Sequence, residues 1–242
     1  MYRGKRVIVI GSCLNEEVKI GKVVERIHSM REKIVDEILM MDDGSTDRTA
    51  EIARGLGATV ISLGAVYGVG VALRRAYAYA REKEYDLIVT IAGNNKDEPN
   101  EIPDLLRPIV EEGYDFIQGS RFLRKSNFGA MPIYRRVATR LHPVLFTAVT
   151  GHHVTESTNG FRAFTRTFLE DPRVNLDQEW LNEYELEPYL YYKAVTLGYK
   201  TGEVPCTKIY PPKSVGYTKM RPITGWWSIL RPLLLLKLGL RE

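Results

Sequence analysis

The stretch "VDEILMMDDGSTDRTAEIARGLG", residues 35–57, decides the fold. It starts as an apolar run, 35–43, that ends in two adjacent acids, the pattern of a buried strand reaching a loop. "STDRTAEIARGLG" (45–57) opens with cap-type residues and closes on glycine, so it reads as a short helix. The same alternation continues on both sides. "RVIVIGS" (6–12), "ATVISL" (58–63), "YDLIVTIAG" (85–93) and "YDFIQGSRF" (114–122) read as strands. "EEVKIGKVVERIHSMREK" (16–33) sets Val18, Ile20, Val23, Val24 and Ile27 at helical spacing. "GVALRRAYAYAREKE" (70–84) and "EPNEIPDLLRPIVEEG" (98–113) read as further helices. This order predicts an α/β fold with a mostly parallel central sheet flanked by helices. Ligands of such sheets bind at the carboxyl ends of the strands. Gly11–Leu14, Asp42–Gly44, Ala92–Asp97 and Gly119–Arg121 are therefore expected to line one crevice.

The second half is less regular. "MPIYRRVATRLHPVLFTAVTG" (131–151) reads as a helix broken at Pro143, "NGFRAFTR" (159–166) as a short strand, "LNEYELEPYLYYKAVTLGY" (181–199) as a helix and "KTGEVPCTKIY" (200–210) as a strand. The tail "TGWWSILRPLLLLKLGL" (224–240) is apolar and aromatic, interrupted by Arg231, Pro232 and Lys237. The length of 242 residues suits one domain with a short extension, divided here as 1–210 and 211–242. A hydrophobic share of 44% beside 26% charged residues fits a globular chain with a substantial core. The net charge of +4 permits an anionic substrate or a membrane surface, and no long basic run points to nucleic acid. Cys13 and Cys206 are the only cysteines, which excludes a disulfide framework, leaves room for a single bridge and suits a reducing compartment. No signal peptide or spanning helix is expected.

Two adjacent acids at a strand end, Asp42 and Asp43, are poorly placed for stability because burial penalises charge. A nucleoside hydroxyl or base is one reason to keep them; a capped turn through Gly44 and Ser45 is the other. In "GSCLNEE" (11–17), Asn15 and Glu16 serve equally as helix caps or as contacts to a ligand.

Taken in order and spacing, "CLNEE", "VDEILMMDDGSTDRTAEIA", "YGVGVALRRA", "EIPDLL", "YDFIQGSRF" and "TNGFRAFTR" resemble the family 2 glycosyltransferases. Within that family the resemblance is to the branch of dolichyl-phosphate mannose and glucose synthases. It covers most of residues 6–210 and implies a nucleotide-sugar-binding fold of the GT-A type. The implied reaction is an inverting transfer of a hexose from a GDP- or UDP-linked donor. The implied acceptor is a polyprenyl phosphate, met at the cytoplasmic membrane face. Carried over, Ser12, Leu14 and Glu16 touch the nucleoside, Asp42 or Asp43 binds base or ribose, and Arg121 faces phosphate. Glu156 keeps a carboxylate where the family has Asp. Arg162 is either a phosphate contact or a support for the sheet. Lys219 and Arg221 of "GYTKMRP" (216–222) are implied to close over the diphosphate, where a guanidinium grips phosphate oxygens in pairs.

One departure stands out. The family's Asp-x-Asp, which holds Mg²⁺ or Mn²⁺ on the donor diphosphate, aligns on Ala92-Gly93-Asn94. Three readings of this loop stand side by side. Lys96 replaces the cation; Asp97 and Glu98, with Asn94 and Asn95 assisting, act as shifted metal ligands; or the loop is catalytically silent and the chain is a nucleotide-sugar-binding subunit. A sugar-hydroxyl acceptor is the other alternative for the reaction. It needs a base among Glu156, Asp177, Glu179, Glu183, Glu185 and Glu187, whereas a lipid phosphate needs none. His152 and His153 are weaker candidates. Under the catalytic reading, Arg121→Ala collapses turnover more than it harms folding. The tail's Trp226, Trp227 and leucines beside Arg231, Lys237 and Arg241 suit peripheral membrane contact, against a packed helix or a homodimer interface.

Overall fold

The computed structural model describes residues 1–124, 126–129, 131–210 and 224–242. Its strands are β1 (Val7–Cys13), β2 (Glu37–Asp42), β3 (Thr59–Ser62), β4 (Leu87–Ala92), β5 (Phe116–Ser120), β6 (Arg162–Thr165) and β7 (Thr201–Pro205). They form one sheet in the order β3-β2-β1-β4-β6-β5-β7. All pairings are parallel except those of β6, which runs antiparallel to β4 and β5. The helices are α1 (Glu17–His28), α2 (Thr49–Gly55), α3 (Val69–Glu82), α4 (Ile102–Glu112), α5 (Ile133–Thr150), α6 (Arg166–Glu170), α7 (Leu186–Thr196) and α8 (Thr224–Lys237).

Strand alternation splits the core into two layers. Ile8, Ile10, Leu39 and Met41 face α3 and α7 through Leu73, Tyr77, Tyr189 and Leu190. Val7, Val9, Met40 and Val89 face α1 and α4 through Ile20, Val24, Leu105 and Leu106. With both faces covered, the central strands have no polar side to show, which is why they read as continuous apolar runs.

Three expectations need correction. Val18 is 71% exposed, so the buried stripe of α1 is Ile20, Val23, Val24 and Ile27 alone. Helix α5 runs unbroken through Pro143. Proline removes one backbone bond there, but the neighbouring His142 pins the helix, pairing through Nδ1 with Ser157 Oγ (2.7 Å) and through Nε2 with the Ile229 carbonyl of α8 (3.1 Å). Burial pushes the His142 pKa down, so it serves this bridge as a neutral ring. The helix expected over 181–199 starts only at Leu186, after a 3-10 turn at Glu179–Leu181. Among the described residues no helix is long and apolar enough to cross a membrane.

Candidate active site

The carboxyl ends of β1, β2, β4 and β5 open on the same edge of the sheet, as the strand order requires. Gly93 shows how tightly the β1 and β4 ends abut: a Cβ there would stand 2.8 Å from the Ser12 carbonyl oxygen and 2.9 Å from Cys13 Cβ. Only glycine fits without moving that backbone.

The β1 and β2 loops lock into one another. Asn15, left-handed at φ 47, donates its N–H to Ser45 Oγ (2.9 Å) and accepts from the Thr46 N–H (2.8 Å). Asp47 accepts from the Glu17 N–H and Glu17 from the Arg48 N–H, so each loop serves the other's helix start. Glu16 makes no side-chain cap; its carboxylate, 7% exposed, meets Lys19 at 2.5 Å.

Asp42 and Asp43 divide their roles. Asp43 spends both oxygens on the N–H groups of Tyr67 and Gly68, fixing the turn into α3. Asp42 accepts from the Ser45 N–H through Oδ1 (2.9 Å), and its Oδ2 has no partner among the described residues. Of the two acids, Asp42 is thus the one that keeps an oxygen not spent on a backbone N–H. Gly44, at φ +79, makes the turn between them and α2. Asp42→Asn is expected to weaken nucleoside diphosphate binding about tenfold, one charge-assisted bond, with an unchanged melting temperature. Calorimetric titration checks it; unchanged affinity removes Asp42 from the site.

After β4 the loop is clamped from two sides. Arg26 of α1 donates to Asn95 Oδ1 (2.7 Å), the Asp97 carbonyl (3.1 Å) and Glu98 Oε2 (2.6 Å). Asp97, 2% exposed, accepts from the Ala92 N–H (3.1 Å) and from Lys208 Nζ (2.5 Å). Glu98 Oε1 accepts from the Asn100 N–H, capping the turn that follows. The carboxylates expected as shifted metal ligands are therefore both engaged with cations. Ala92 carries no donor, and Asn94 Oδ1 is the one orphan: buried, with no hydrogen-bond partner among the described residues. Among the described residues no three His, Cys, Asp or Glu stand together as a metal site. A hard divalent ion takes six or more oxygens, several of them charged. One neutral amide oxygen beside two ion-paired acids does not fit such an ion.

A group of cations lies next to this loop. The Lys96 ammonium, on a residue 6% exposed, stands 5.1 Å from the centre of the Tyr210 ring. The Arg135 guanidinium is 5.5 Å from the same centre, and Arg121 Nη1 donates to the Tyr210 hydroxyl (3.1 Å). Burial, then the charges of Lys208 and Arg135, push the Lys96 pKa down to about 7, with Asp97 only partly opposing them. An anion beside Lys96 would restore its charged form.

Arg121 and Glu156, expected on the substrate, face each other inside the protein. Arg121 Nε donates to Glu156 Oε2 at 2.6 Å, and both are buried. Glu156 Oε1 also accepts from the Ser157 N–H, the Thr158 N–H and Thr158 Oγ1. Burial alone would raise the Glu156 pKa, but the Arg121 charge holds it below the usual carboxylate range, which disfavours it as a base. Arg162 is buried too and donates to the carbonyls of Glu187 (2.8 Å) and Asn159 (2.6 Å), the sheet-supporting alternative. In the acidic segment Glu185 pairs with Arg231 at 2.7 Å, whereas Asp177, Glu179 and Glu183 are exposed. His152 and His153 are exposed as well. Ser12 and Leu14 are half-buried at the end of β1. Lys219 and Arg221 lie outside the described residues.

Sequence reasoning missed Arg135, Lys208 and Tyr210, which no local motif marks, and the outer face of α5. Ile133, Tyr134, Val137, Leu141, Val144 and Leu145 recur on one side of that helix and are 47–77% exposed. On α8, Ile229, Leu233 and Leu236 pack inward while Trp227 and Leu234, and Leu238 just beyond its end, are exposed.

Comparisons with known proteins follow the same outline. The profile described as Glycosyl transferase family 2 matches residues 8–171. A dolichyl-phosphate hexose transferase of Haloferax volcanii is 30% identical, over 94% of this chain and 92% of its own. A UDP-N-acetylglucosamine–dolichyl-phosphate N-acetylglucosaminyltransferase of Methanococcus voltae is 27% identical over 97% of each. Glucosyl-3-phosphoglycerate synthase from Mycobacterium tuberculosis, solved with Mn²⁺, UDP and its product, superposes with a TM-score of 0.69 at 23% identity. That match covers 99% of this chain and 82% of the synthase, and shows the shared fold. With the family profile spanning most of the sheet and the Haloferax relative aligned almost end to end, the chain belongs to glycosyl transferase family 2 and is a glycosyltransferase.

Proposed function

We propose that the enzyme transfers a hexose, with inversion, from a GDP- or UDP-linked donor to a polyprenyl phosphate of the dolichyl type. It works from the cytoplasmic face of the membrane, in peripheral contact with it. The observation that carries this reading is the junction of an apolar stripe with a basic cluster. The exposed stripe of α5 begins at Ile133 and Tyr134, and the next residue, Arg135, already reaches Tyr210 in the cation group. An acceptor with a long apolar chain and a phosphate head matches both halves. The names of the Haloferax and Methanococcus relatives support the same acceptor class.

The reaction needs little from the protein's acids. A phosphate oxygen of the acceptor attacks the anomeric carbon from the face opposite the donor diphosphate. The bond from that carbon to the diphosphate oxygen breaks, and its electron pair leaves on the diphosphate. No proton has to move, so no base is required. The ion pairing of Glu156 and Asp97 agrees with this. A sugar-hydroxyl acceptor would need one of them, or the exposed Glu183, free to take a proton.

The test is transfer itself. GDP-mannose, UDP-glucose and UDP-N-acetylglucosamine are each incubated with polyprenyl phosphate in anionic vesicles, and the lipid is analysed by mass spectrometry. One donor is expected to give a lipid-linked monosaccharide of inverted configuration. Transfer only to a glycan hydroxyl would overturn the acceptor assignment.

A further inference from the structure

From the way the loop after β4 is built, we infer that Lys96 supplies the positive charge that holds the donor diphosphate in the place the family's metal takes. This rests on the nucleotide-sugar reading above and deepens it.

The first argument is what a metal would have to undo. To coordinate an ion, Asp97 must release Lys208, which is itself only 7% exposed, and leave a buried ammonium without its counter-ion. It must also give up the Ala92 N–H that closes the loop. Glu98 must release Arg26 and uncap the turn at Asn100. The acids are committed to shaping the loop. Separating a buried ion pair costs far more than a surface contact returns.

The second argument is where the positive charge stands. The Lys96 carbonyl accepts from the Ile209 N–H (2.8 Å), and Asp97 bridges to Lys208, so the loop is sewn to the segment that ends at Tyr210. That seam sets Lys96 and Arg135 around one aromatic ring, with Lys208 close by. Arg121 reaches the same ring's hydroxyl but is neutralised by Glu156. The end of β4 lies beside the ends of β1 and β2, on the edge at which such sheets bind ligands. There Lys96 would meet the charge that develops on the leaving diphosphate oxygen.

The test is calorimetric titration of UDP and GDP into the wild type, Lys96→Met and Lys96→Arg, each in EDTA and in Mn²⁺. Wild type is expected to bind one nucleotide with the same Kd, within about twofold, in both media. Lys96→Met should weaken binding about 10–100-fold in both, the worth of a charge-assisted contact. Lys96→Arg, which keeps the charge, should recover most of the loss. Equal melting temperatures show that Lys96→Met is folded. Binding that needs Mn²⁺ and ignores Lys96→Met overturns this inference and leaves the nucleotide-sugar reading standing. Binding of neither nucleotide in either medium overturns both.

Discussion

Arg121→Ala is expected to lower the unfolding free energy by about 3–5 kcal/mol, and so the melting temperature by roughly 6–20 °C for a chain of this size. The reason is the carboxylate left behind. Glu156 is wholly buried and its Oε2 has Arg121 as its partner at 2.6 Å. Remove the guanidinium and a charge stays in the interior, or takes a proton it does not normally hold. The direction with pH follows. The Glu156 pKa lies below its ordinary value when folded, so the pair's stabilisation is present above the unfolded pKa, near 4.3, and fades as pH falls through the folded value. The deficit of Arg121→Ala should therefore shrink in acid. Pairing Arg121→Met with Glu156→Gln should recover most of the loss, since the amide oxygen still accepts from Ser157 and Thr158 while the unpaired charge is gone. Thermal melts from pH 7 down to about 3, below the unfolded carboxylate value, check all three points. The sequence-based expectation put turnover ahead of folding for this residue; the buried pair reverses that order. If Arg121→Ala melts within about 1 kcal/mol of wild type yet turns over nothing, Arg121 acts on substrate and the original order stands.

Arg121 also shows where the sequence stopped being legible. Strand and helix order could be read because β1, β2 and β4 are apolar on both faces and the glycine and acidic turns punctuate them. The motif residues were found for the same reason: they sit at strand ends, where the pattern breaks. What each one touches is a matter of tertiary pairing. Asp42 and Asp43 are adjacent in sequence, yet one is consumed by backbone N–H groups about 25 residues on and the other is not. Asp97 reads as a free ligand until Lys208, 111 residues away, is seen beside it. Tyr210 carries no signal at all and still gathers Lys96, Arg121 and Arg135. Pro143 misled for the opposite reason, because a strong local rule was overridden by packing around His142.

The exposed stripe on α5 was illegible on the same grounds: in sequence, Ile133, Val137, Leu141 and Val144 resemble any core face of a helix. The structure reverses the assignment. The inward face is Thr139, His142, Pro143 and Phe146, and the apolar side is left outside. If a bilayer covers it, Val137→Glu, Leu141→Glu and Val144→Glu together should weaken binding to anionic vesicles on the order of 10³-fold. Each apolar side chain withdrawn from lipid forfeits about 1.5 kcal/mol or more. Folding should hold, because the three residues are 53–63% exposed. Arg136 and Arg140 of α5, with Lys237 and Arg241 near α8, would add about 1 kcal/mol each against acidic headgroups, so binding should also weaken with salt. Vesicle sedimentation measures both. The enzymatic readout separates a membrane role from a merely structural one. Transfer to polyprenyl phosphate in vesicles should fall with the loss of binding, while transfer to a short, water-soluble prenyl phosphate should be unchanged, because the cation group around Tyr210 is untouched. The competing occupant is a second copy of the chain. Then the triple variant would turn a dimer into a monomer in vesicle-free solution and leave vesicle transfer intact, and the bilayer assignment would fall.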